Sequence, residues 1–332
     1  MARFFIIPAI FSAVILGAVF AYWGLAAFLT VSILTVLEVT LSFDNAVVNT
    51  KVLKQMSEKW RKRFLTWGIL IAVVGTRLIL PILIVSVTAL ASPILVTKLA
   101  FFDGDEYGRL LAVAHYAISA FGGAFLAMVA LRYFFDGEKT THWLRRIEMR
   151  LARLGDIQAL EIIVVLAAVL IVAFYADPTH KSVILLSGVI GVLVSVGIEF
   201  VMRLFTGKDE HTLSHGLALF VYINILDSAF SLDGVVGAFA LTASIPLIVI
   251  GLGIGAYFVR ALTLYLTQHK VLESLVFIEN GAHWAIFGLA LSMFASLLVV
   301  VPEFITGFIG SAFMLASYYS SIRARSSRIK VS

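Results

Sequence analysis

The chain has 332 residues, of which 61% are hydrophobic and only 14% charged, with a mean hydropathy of +1.02. That composition excludes an ordinary soluble globular domain. Cysteine is absent, which rules out a disulfide framework, a thiolate metal site and a cysteine nucleophile, and the formal net charge of +5 sits in loops, where basic residues orient helices rather than bind nucleic acid.

Apolar runs of roughly 17–25 residues, the length that crosses a bilayer, recur about ten times along the chain. Read against charged and Pro/Gly breaks, they predict an all-α polytopic membrane protein with spans near 4–21, 24–49, 65–90, 110–131, 160–176, 182–202, 213–242, 246–267, 279–300 and 303–319. The first run follows Arg3 and leads directly into further spans without a small-x-small cleavage site, so it is expected to be retained rather than removed as a signal peptide. The chain divides into N-terminal helices 1–131, with a first repeat over 24–131, a basic loop and linker helix 132–181, a second repeat 182–300, and a last helix with a basic tail 301–332.

The loops give the topology. Lys51, Lys54, Lys59, Arg61, Lys62 and Arg63 follow the second span, Arg132, Lys139, Arg145, Arg146, Arg150 and Arg153 the fourth, and Arg323, Arg325, Arg328 and Lys330 the last. With Arg3, Arg203, Lys208 and Lys270 they stand against only Lys98, Arg109 and Lys181 on the other side. The positive-inside rule then puts both termini in the cytoplasm. The stretch 132–158 is expected to be a basic amphipathic helix lying against anionic lipid.

Two segments carry carboxylates where a bilayer penalises them. Glu38-x-x-x-Ser42-x-Asp44 and Asp227-x-x-x-Ser231-x-Asp233 lie about 190 residues apart, each inside an apolar span. An ionised side chain at that depth costs roughly 2.5–3.5 kcal/mol on insertion scales. Each acidic span is followed by one with a single arginine, Arg77 or Arg260, and then by one opening Ala114-His115-Tyr116-Ala117-Ile118 or Ala282-His283-Trp284-Ala285-Ile286. The matched spans stand an odd number apart, so the repeats run through the membrane in opposite directions. Glu38 and Asp227 are then expected near the midplane, with Asp44 about 9 Å toward the cytoplasm and Asp233 toward the outside.

On a continuous helix Glu38, Ser42 and Asn45 share a face, and Asn224 lies one turn before Asp227. Asp44-Asn45 and Asp233-Gly234 are weak helix formers, so local unwinding is expected there, freeing carbonyls as ligands. Carboxylate, amide, hydroxyl and carbonyl oxygens suit a hard divalent ion such as Mg²⁺, Ca²⁺ or Mn²⁺. His115 and His283, if they reached the site, would favour Mn²⁺. Two close carboxylates also allow a proton to leave as a metal enters, which is the simplest coupling.

The same residues have plainer readings. Glu38 and Asp227 could serve only as buried ion pairs with Arg77 and Arg260, and the two histidines only as helix-packing hydrogen bonds. Glu199, four residues before Arg203, reads as an ion pair. Gly251, Gly253 and Gly255 read as close helix packing rather than a nucleotide loop, since no strand precedes them.

Glu38-Val-Thr-Leu-Ser-Phe-Asp44-Asn45 and Asp227-Ser-Ala-Phe-Ser-Leu-Asp233, each with an arginine span after it, resemble the TerC family of bacterial integral membrane proteins, closest to its uncharacterised-domain branch. That family is named for tellurium resistance and is related to the LysE superfamily of exporters. The resemblance implies export of manganese or another metal ion, with Glu38, Asp44, Asn45, Asp227 and Asp233 at the ion site. It covers spans two to nine and departs from the family pattern in having Asp227 where glutamate is frequent.

The expected function is therefore a divalent-cation exporter, not an enzyme, with the lipid bilayer and a transported cation as partners and no resident cofactor. A homo-oligomer is compatible with the sequence. The alternatives are an amino-acid or other organic-cation exporter, with Phe43, Phe230 and Trp284 lining a larger cavity, an intramembrane hydrolase, disfavoured because HExxH and G-x-S-x-G are missing, and a stress-response membrane scaffold.

Overall fold

The computed structural model describes residues 2–206, 213–239, 241–269 and 275–329. Lys208, Lys270 and Lys330 fall outside them, as does the side chain of Asp233. Among the described residues every regular element is helical: α1 (Ala2–Leu41), α2 (Phe43–Gln55), α3 (Glu58–Leu70), a π-helix (Ile71–Ile79), α4 (Leu80–Thr88), α5 (Pro93–Phe102), α6 (Gly104–Phe135), α7 (Arg145–Leu154), α8 (Leu160–Tyr175), α9 (Lys181–Thr206), α10 (Leu213–Ala238), α11 (Ile245–Gln268), α12 (Ile278–Ser296) and α13 (Glu303–Ile329). Six helical stretches are long and apolar enough to cross a bilayer: Phe4–Leu41, Glu58–Thr88, Gly104–Phe135, Lys181–Leu204, Gly216–Ala238 and Ile245–Gln268. The described residues are thus all-helical, with helices of the length and composition of a membrane protein.

Its helices form two compact units, Met1–Ile118 with Phe205–Gln268, and Ser119–Leu204 with His269–Ser332. In the first unit α11 packs along α1. Gly251 and Gly255 make this approach possible: a Cβ on Gly251 would stand 2.6 Å from Leu34 Cβ, and one on Gly255 2.5 Å from Glu38 Cβ. Lipid gives no hydrophobic drive between helices, so small residues that permit backbone contact supply the packing. Thr35 Oγ1 donates to the Gly251 carbonyl across this seam, at 3.1 Å.

Within α1, Gly24 adopts φ 79°, ψ −173° and interrupts the helix near its middle. A 40-residue helix would otherwise run about 60 Å, twice the roughly 30 Å hydrocarbon core.

The π-helix carries Arg77 and runs into Pro81 near the start of α4. Proline offers no N–H and its ring collides with the carbonyl four residues back, here that of Arg77. Within the widened turns that precede it, side chains add to the backbone bonding: Thr76 Oγ1 donates to the Ile71 carbonyl at 3.3 Å and Arg77 Nη1 to the Ala72 carbonyl at 2.6 Å, both five residues back. Such π segments concentrate at functional sites.

In the second unit a fully buried carboxylate holds α7 in place. Glu148 accepts from Lys139 Nζ at 2.7 Å, the Leu144 N–H at 3.1 Å, Asn280 Nδ2 at 2.7 Å and Trp284 Nε1 at 3.0 Å. Burial pushes its carboxyl up, but the bonds from Lys139, Trp284 and Leu144, with the Lys139 charge, hold it below the ordinary range. A group lowered in this way contributes stability above its unfolded pKa and loses it as pH falls through the folded value. The docking of α7 on α12 is therefore expected to be complete above the ordinary glutamate pKa of about 4.3 and to weaken as pH falls below that range. Hydrogen-exchange protection factors for α7 amides test this, and protection unchanged down to about pH 3 would contradict it.

Glu199 pairs with Arg203 at 2.6 Å, as its spacing suggested, and also with Arg132 at 2.6 Å.

Candidate cation site

The first unit encloses a cavity of about 20 Å³ lined by residues of α1–α3, the π-helix, α10 and α11. On the same measure one water needs about 10–15 Å³, so the space fits one small occupant. Its polar lining is Glu38, Ser42, Asn45, Asn49, Thr76, Arg77, Asp227, Ser231, Arg260 and Thr263.

Each acid meets the arginine that next follows it among the buried charges of the sequence. Glu38, 2% exposed, contacts Arg77 Nη2 and accepts from Ser42 Oγ at 3.0 Å. Asp227 lies 3.7 Å from Arg260 Nη2 and accepts from Asn49 Nδ2 at 2.7 Å. Arg260 reaches this point because Gly68 has no side chain: a Cβ there would stand 2.5 Å from its Nη1. Its guanidinium also donates to the Phe64 carbonyl at 2.6 Å and lies 3.9 Å from the Phe64 ring centre. Thr76 and Ser228 hydroxyls join the π-helix to α10 at 3.0 Å.

Among the described residues three buried oxygens of this lining have no hydrogen-bond partner: Asn45 Oδ1, Asn49 Oδ1 and Ser231 Oγ. The Asn49 orientation is set, since a carboxylate only accepts and the Nδ2 must face Asp227. Buried acceptors without donors are costly. The Arg77 Nε, a donor, is also without a partner among the described residues, so beyond its internal bonds the lining offers three oxygens and one N–H.

The expected residues divide as follows. Glu38, Ser42, Asn45, Asp227, Ser231, Arg77 and Arg260 meet at the cavity. Asp44 is buried beside it but is not in its lining, and it accepts instead from the Asn45 N–H at 3.0 Å. Asn224 Nδ2 bonds the Phe220 carbonyl of its own helix at 2.6 Å. Neither histidine lines the cavity: His115 lies on α6 beside Tyr116, and His283, in the second unit, stacks on Tyr133 at 3.6 Å and bonds the Glu279 carbonyl. The nitrogen-ligand argument for Mn²⁺ therefore falls away. Among the described residues no three His, Asp or Glu side chains gather as a metal site, so neutral oxygens must complete any ligand set.

The expected unwinding is confined to one residue. Ser42, with φ −100° and ψ 14°, separates α1 from α2, yet the Glu38 and Ser42 carbonyls still accept helical N–H bonds. α10 passes Asp227 and Asp233 without a break. Each orphaned backbone group costs several kcal/mol in lipid, more than the weak propensity of Asp-Gly, at about 1 kcal/mol for the glycine.

Asn49, Thr76 and Ser228 were missed in the sequence. Their signal was spacing: Asn49 extends the Glu38-Ser42-Asn45 face by another turn, and Ser228 and Ser231 continue the Asn224-Asp227 face.

A family model described as "Protein of unknown function (DUF475)" matches residues 43–328. The chain belongs to the DUF475 family. No curated protein and no solved structure matches it. The DUF475 match takes in Asp44 through Arg260 but begins after Glu38, so one of the two paired acids lies just outside it.

Proposed function

We propose that this DUF475 protein exports a divalent metal cation across a bacterial inner membrane through a site shared by two inverted repeats. The observation that carries the reading is the group of three unpartnered buried oxygens on the same small cavity as two carboxylates. Such hard oxygens suit Mn²⁺, Mg²⁺ or Ca²⁺. The preference for Mn²⁺ rests on the TerC resemblance.

Two carboxylates and two guanidinium groups balance in charge at this site. The arginines thus act as tethered substitutes for the cation, and an entering metal exchanges with a guanidinium for each carboxylate. Ser42, Asn45, Asn49 and Ser231 then complete the oxygen shell. Proton exchange is a coupling that two carboxylates permit, and flux under an imposed pH gradient measures it. The cavity is too small for an amino acid, which disfavours the organic-cation alternative.

In this reading the chain crosses the membrane about ten times, with cytoplasmic termini. Cysteines at Asp44 and Asp233 should then react with an impermeant thiol reagent from opposite faces, and reaction of both from one face would contradict the inversion. The function itself is tested by metal flux from proteoliposomes holding the purified chain; failure to move Mn²⁺, Mg²⁺ or Ca²⁺ would reject it. Asn49→Leu removes both a ligand oxygen and the donor that orients Asp227. It is expected to weaken metal binding about 10–100-fold, as read by titration calorimetry, and unchanged affinity would remove Asn49 from the site.

A further inference from the structure

α7 has two opposite faces with different tasks. Glu148 is buried against α12, while Arg145, Arg146, Arg150 and Arg153 are exposed. At about 100° per residue, Arg146, Arg150 and Arg153 fall on one stripe opposite Glu148, with Ile147 and Leu154 beside it. Ile147 and Leu154 are 50% and 43% exposed, so an apolar strip borders the basic one. Among the described residues none of these arginines is in an ion pair.

The chain ties this helix to the bilayer surface. Nine residues separate it from α6, a helix of membrane-crossing length, and five from the apolar α8. An acidic peptide would pair the arginines but leave Ile147 and Leu154 in water. A bilayer surface takes both, with cationic side chains on phosphates and apolar ones at the acyl boundary.

We propose that α7 docks on anionic phospholipid headgroups through Arg146, Arg150 and Arg153, with Ile147 and Leu154 in the headgroup boundary. Glu148, on the opposite face, ties the same helix to Asn280 and Trp284 near the start of α12. Lipid composition is thereby linked to the position of a helix end in the second unit.

Ile147→Cys gives this cysteine-free chain a single label site. An environment-sensitive fluorophore there should shift to the blue in nanodiscs containing phosphatidylglycerol relative to phosphatidylcholine alone. The shift should vanish in about 1 M salt, where the Debye length is about 3 Å, and in the R146Q/R150Q/R153Q background. The salt arm needs no substitution of the arginines, so misfolding of that variant cannot mimic it. Equal emission in the two lipids, or a shift that survives both salt and the triple substitution, overturns the proposal. A shift that arises only when polyglutamate is added to phosphatidylcholine discs also overturns it, in favour of an acidic protein partner.

Discussion

Glu38→Gln is expected to abolish metal flux, and Asp227→Asn to do the same. The amide keeps the volume of the side chain and removes the charge that draws a divalent ion into a low-dielectric site. Loss of function alone would be ambiguous, because Arg77 would remain buried with its partner neutralised. Breaking a buried pair on one side costs about 3–5 kcal/mol, enough to impair folding. The double variant E38Q/R77Q removes both charges and should recover most of that stability. Recovery of thermal stability without recovery of flux separates a transport role from a structural one. Wild-type flux in E38Q/R77Q would reduce Glu38 and Arg77 to a helix-packing ion pair.

The membrane class and the acidic faces were legible because they violate the local rule of the bilayer. A carboxylate such as Glu38 or Asp227 inside an apolar run stands out, and so does a lone Arg77 or Arg260. Asn49 and Ser228 did not stand out, since neutral polar side chains are common in membrane helices and reveal themselves only through partners on other helices. The π-helix around Arg77 was hidden for another reason. Pro81 marks a disturbance, but whether a helix kinks, breaks or widens depends on which side chains bond its carbonyls. In sequence Glu148 is one acid within the basic stretch 132–158, and its burial depends on Asn280 and Trp284, more than 130 residues away. The two histidines illustrate the converse: similar sequence neighbourhoods need not share an environment, and neither His115, beside Tyr116, nor His283, stacked on a tyrosine ring, lines the cavity that would have made it a ligand.

The same substitution at two glycines is expected to act in opposite directions. Gly197 in α9 has nothing within 4 Å of the position a Cβ would take. Gly197→Ala should raise stability by about 0.5–1 kcal/mol through the entropy of the helical backbone. At Gly255 a Cβ would stand 2.5 Å from Glu38 Cβ, 2.6 Å from Glu38 Cγ and 3.0 Å from the Thr35 carbonyl oxygen. The last of these is backbone and cannot rotate away, so α1 and α11 must separate. Overpacking of this kind costs about 1–3 kcal/mol, and the side chain nearest the intrusion is Glu38 itself. Gly255→Ala should therefore lower the melting temperature and also cut metal flux, by moving a carboxylate off the cavity and away from Arg77. Thermal melts and flux measured on both variants separate the two consequences. Wild-type flux in a destabilised Gly255→Ala protein would mean that Glu38 does not need this helix seam to hold its place, and the close approach of α11 would then serve packing alone.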